Sequence, residues 1–81
     1  MTDAMVNLMK FCAALDQRHV RYELLVVRPE AIMVALAVPG ERLEIEFFPD
    51  GLIEIERFIS KGDLLEAGPG TLDEVLRYFD E

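Results

Sequence analysis

The sequence contains no tryptophan, only one cysteine, one histidine and one serine, and half as many basic side chains as acidic ones. Each shortage removes a class of function. With Cys12 alone, no internal disulfide can form and no zinc site has a cysteine pair to build on. Eight Lys and Arg against sixteen Asp and Glu give a net charge of −8. Nucleic-acid binding draws on cations that displace counterions from phosphates, so this balance argues against DNA or RNA as a direct partner. An anionic membrane surface repels the same charge, and no apolar run is long enough to span a bilayer. The opening MTDAMVNLMKFC has an acid ahead of Lys10 and lacks the charged-then-apolar order of a signal peptide, so the expected location is the cytoplasm.

What the sequence does have is apolar surface. At 52% hydrophobic and 30% charged residues, the chain can offset the entropy of ordering, which a disordered tail cannot. Residues 1–81 are expected to form one domain, near the size where a single core gives marginal stability. Met5, Leu8, Met9, Cys12 and Leu15 recur at helical spacing behind Asp3, predicting an amphipathic helix over residues 3–18. Thr71 and Glu74 stand in capping-box spacing, and Leu72, Val75, Leu76 and Phe79 supply the apolar stripe of a second, shorter helix. Between them lie VRYELLVVR, AIMVALAV, RLEIEFF and LIEIERFI, four runs rich in β-branched and aromatic residues. They predict an antiparallel meander and an α+β fold of order α-β-β-β-β-α, two layers with the N- and C-terminal helices on one face of a four-stranded sheet. Residues 60–70, SKGDLLEAGPG, read as a loop.

Turn chemistry predicts the registers. In VPGE, Gly40 is placed at the first central position of a type II′ turn, which sets Val38 opposite Leu43, Leu36 opposite Ile45 and Val34 opposite Phe47. In FPDGL, Pro49 and Asp50 suit a type I turn and Gly51 the left-handed residue after it, setting Phe47 opposite Ile53 and Ile45 opposite Ile55. With RPE as the first loop, Val26 aligns with Ile32, Leu24 with Val34 and Tyr22 with Leu36. One face of the sheet is then almost wholly apolar. The other collects a row of Arg21, Ala37, Glu44 and Glu56, a row of Glu23, Ala35, Glu46 and Glu54, and a third of Leu25, Met33, Phe48 and Leu52.

The first two rows oppose glutamate to glutamate, an arrangement that costs roughly 0.2–1 kcal/mol per pair. Charge on a solvated face blunts sticky edges, and Arg21, Arg42 or Arg57 can relieve the repulsion. Alternatively, Glu23, Glu44, Glu46, Glu54 and Glu56 form a recognition surface for a basic protein partner, whose encounter rate and selectivity complementary charge would raise. A nearly flat strand surface suits a broad contact better than a wrapped metal ion. The apolar row of Leu25, Met33, Phe48 and Leu52 is either capped by the 60–70 loop through Leu64 and Leu65 or buried as the interface of a homodimer.

Catalytic constellations are missing. His19 follows Arg18 near a helix end, where a cation complements the dipole, and Cys12 lies on the helix stripe as a core thiol. The paired glutamates lack the cleft and the unequal environments that acid–base pairs need. The glycines of GPG, residues 68–70, do not have the spacing of a nucleotide fingerprint, and no cations interleave with Tyr22, Phe47, Phe48 and Phe58 as a nucleic-acid groove requires. No catalytic residue, cofactor or metal is expected.

The stretch VPGERLEIEFFPDGLIEIERF, residues 38–58, resembles a pattern in uncharacterised small bacterial proteins, in which tryptophan often stands at the position of Leu43. That resemblance implies a bacterial α+β protein and carries no catalytic residue. In size, acidity and sheet order the chain is also similar to immunity proteins that neutralise toxins and to small secretion chaperones, which implies a non-enzymatic binding module.

Overall fold

The computed structural model describes residues 3–38, 40–59 and 70–80. Along the chain run α1 (Asp3–Gln17), β1 (Tyr22–Arg28), β2 (Ala31–Val38), β3 (Glu41–Phe47), β4 (Ile53–Ile59) and α2 (Leu72–Tyr78). The strands form one antiparallel sheet in the order β1-β2-β3-β4, so the expected α+β meander is observed. The expected loop over 60–70, with Leu64 and Leu65, lies outside the described residues except for Gly70.

Leu8, Phe11 and Leu15 of α1 and Val75 of α2 share one core with Val34, Leu36, Leu43, Ile45 and Phe47. Removing each large apolar side chain from water is worth about 1.5–3 kcal/mol, so this cluster holds both helices to the same sheet face. The Phe11 and Phe47 rings meet at a tilt, with centroids 5.9 Å apart. The buried stripe of α1 is Ala4, Leu8, Phe11 and Leu15, rotated from the predicted one; Met5 and Met9 are exposed and Cys12 is partly buried. Because α1 has more apolar positions than one sheet face can cover, periodicity alone leaves the rotation of the helix open.

At the end of α1, the Val20 N–H donates to the Leu15 carbonyl at 3.0 Å and the His19 N–H to the Asp16 carbonyl at 3.1 Å. This closure requires a left-handed residue between them, and His19 supplies it at φ 57. The cation at this helix end is Arg18 rather than the expected His19, and it donates to the Ala14 carbonyl at 3.0 Å. At the start of α2, the Thr71 hydroxyl accepts from the Glu74 N–H at 3.2 Å, and the Glu74 carboxylate reaches back to the Gly70 N–H at 3.4 Å.

Two registers differ from expectation. Across β2 and β3, Val38 pairs with Glu41, Leu36 with Leu43 and Val34 with Ile45, each two residues away from the predicted partner. The connection falls between Val38 and Glu41, and Gly40, at φ 80, stands directly before Glu41 rather than at the first central position. A Pro-Gly pair favours this order, since proline presets φ at the first position and glycine alone tolerates positive φ at the second. The side-chain period of a strand is two, so the shift keeps every residue on its face but moves every row by one step. Across β1 and β2, Arg28 pairs with Ala31 and a bulge lies between Leu25 and Arg28, which shortens the loop to two residues and removes the predicted Val26–Ile32 pair. The β3–β4 register is the expected one, with Gly51 at φ 93 and the Leu52 N–H held by Asp50 Oδ1 at 3.0 Å.

Candidate functional site

On the sheet face away from the helices, the rows run Glu23-Ala35-Glu44-Glu56 and Leu25-Met33-Glu46-Glu54. Glutamate opposes glutamate in both rows, but Glu46 now lies beside Met33 and is only 6% exposed. A carboxylate that far out of water needs a cation. Arg28 provides it, donating to Glu46 Oε1 at 3.1 Å and lying 4.0 Å from Glu54 Oε1, with its guanidinium 5.6 Å from the Phe48 ring centroid. Sequence reading puts Arg28 in a loop, and no local signal marks it as a sheet-face residue; the bulge in β1 accounts for the difference.

Glu44 accepts from Arg42 Nε at 2.8 Å, two residues along the same strand. Arg57 does not soften this face. It stands opposite Leu43 on the helix side, where its Nε donates to Glu41 Oε1 at 2.9 Å and its guanidinium lies 5.2 Å from the Tyr78 ring centroid. Glu23 and Glu56 are exposed and make no ion pair with a described residue. The accessible carboxylates are therefore Glu23, Glu44, Glu54 and Glu56, while Glu46 serves as the buried anchor of Arg28.

The expected apolar row is broken up. Leu25 and Met33 share a row with Glu46 and Glu54, whereas the Phe48 N–H donates to the Leu52 carbonyl at 2.9 Å across the β3–β4 turn. Met33 is 7% exposed, Leu25 and Phe48 are partly buried, and Leu52 is exposed. The two-residue register shift is the cause, because it replaces Phe48 with Glu46 opposite Met33. A shallow hollow of about 730 Å³ is lined by Ala35 and Ala37 together with Arg21, Tyr22, Glu23 and Arg42. Its small-residue floor is the expected one, but its wall is of mixed charge, since Arg42 rather than Glu44 opposes Ala37.

Elsewhere the chemistry is quiet. Burial pushes the Cys12 thiol pKa up, and the Tyr22 hydrogen bond offsets this only in part, whereas an activated nucleophile has its pKa lowered. The Tyr22 hydroxyl is also held above its usual range, first by burial and then by Cys12 and Asp16, and it donates to Asp16 Oδ2 at 3.4 Å. His19 is exposed at the helix end. Among the described residues, no group of three His, Cys, Asp or Glu side chains is placed to hold a metal ion, and no helix is long and apolar enough to cross a membrane.

No family model, curated protein or solved structure matches this chain. The roles of its residues rest on their geometry.

Proposed function

We propose that the open sheet face is a protein-binding surface for a basic partner, on a non-enzymatic module of the bacterial cytoplasm that acts in the manner of an immunity protein. The observation that carries this reading is the direct opposition of Glu44, already met by Arg42, to Glu56, with Glu23 two strands away across Ala35; neither Glu56 nor Glu23 has an ion-pair partner among the described residues. Such a row costs the isolated chain roughly 0.2–1 kcal/mol per like-charged contact, and a cationic partner would recover it on binding. Glu44, Glu54, Glu56 and Glu23 make the contact; Arg28, held by Glu46, stiffens the face beneath them.

The test compares the wild type with a Glu44→Gln, Glu54→Gln, Glu56→Gln variant as paired baits in a bacterial lysate, followed by affinity measurement on what is retained. A basic protein is expected on the wild type only, released near 1 M salt, where the screening length is about 3 Å. The variant loses the Arg42–Glu44 and Arg28–Glu54 contacts together with the repulsion, all of them at the surface, so its melting temperature should stay close to that of the wild type. Equal affinity of the partner for both baits would remove the carboxylates from any recognition role.

A further inference from the structure

We draw no further inference here: the strongest candidate, the apolar groove of about 360 Å³ between the start of α1 and the β1–β2 and β3–β4 turns, which opens through Met5 and Val26 onto the exposed β1 edge, carries nothing because nothing in the structure shows what covers it.

Discussion

His19 and Arg28 each do something that their chemical type does not announce. His19 holds a left-handed backbone that costs an ordinary L-residue about 1–2 kcal/mol, and its side chain is exposed. Glycine has no Cβ to clash there but loses more entropy on folding. His19→Gly is therefore expected to raise the unfolding free energy by about 0.5–1 kcal/mol in urea titration. A loss of stability would mean that the imidazole makes a contact of its own. Arg28 neutralises a carboxylate that is 6% exposed. Arg28→Met should cost about 1–3 kcal/mol, below the roughly 3–5 kcal/mol of a fully buried broken pair because the guanidinium is itself half exposed. Adding Glu46→Gln should restore much of that loss; a double variant no better than the single one would show that Arg28 acts through its packing on Phe48 instead.

The helices depend on their ends as much as on their stripes. At seven residues, α2 is too short to persist alone, and it relies on the burial of Val75, the Thr71 cap and a tie to α1. That tie is Arg18 to Asp80, two hydrogen bonds of 2.6 and 3.3 Å to the two carboxylate oxygens. The Arg18 hydrogen bond holds the Asp80 carboxyl below its ordinary value of 3.8. A depressed carboxyl pKa adds stability above the unfolded value and loses it as pH falls through the folded one. Both groups are at the surface, so the contribution is small and screened by salt. Asp80→Asn should lower the melting temperature slightly at pH 7 in low salt, and the two proteins should converge as pH is brought below 3.8. A gap that persists in acid would assign the effect to helix packing rather than to the carboxylate charge.

For the whole molecule, the net charge of −8 and the glutamates of the open face act in the same direction. A basic partner is drawn in by the net charge of −8. Added salt is thus expected to weaken capture by the glutamates, and a retention that salt leaves unchanged would count against an electrostatic contact.

The identity and order of the elements, and the side of the sheet on which each strand residue falls, are legible in the chain because they depend on local quantities. Helical spacing marks Leu8 and Leu15, alternation marks Ile45 and Phe47, the Thr71–Glu74 pair marks the start of α2, and Asp50-Gly51 sets the β3–β4 register. The rows of the open face were settled only on folding. Registers two residues apart put the same side chains inside and outside, so hydrophobic pattern cannot separate them; the positive φ of Gly40 and the bulge after Leu25 go with the observed pairing and bring Arg28 to Glu46. The rotation of α1 is likewise a matter of packing. Several apolar stripes fit its sequence, the Phe11–Phe47 contact goes with one of them, and that choice leaves Met5, Met9, Leu24 and Val26 facing water.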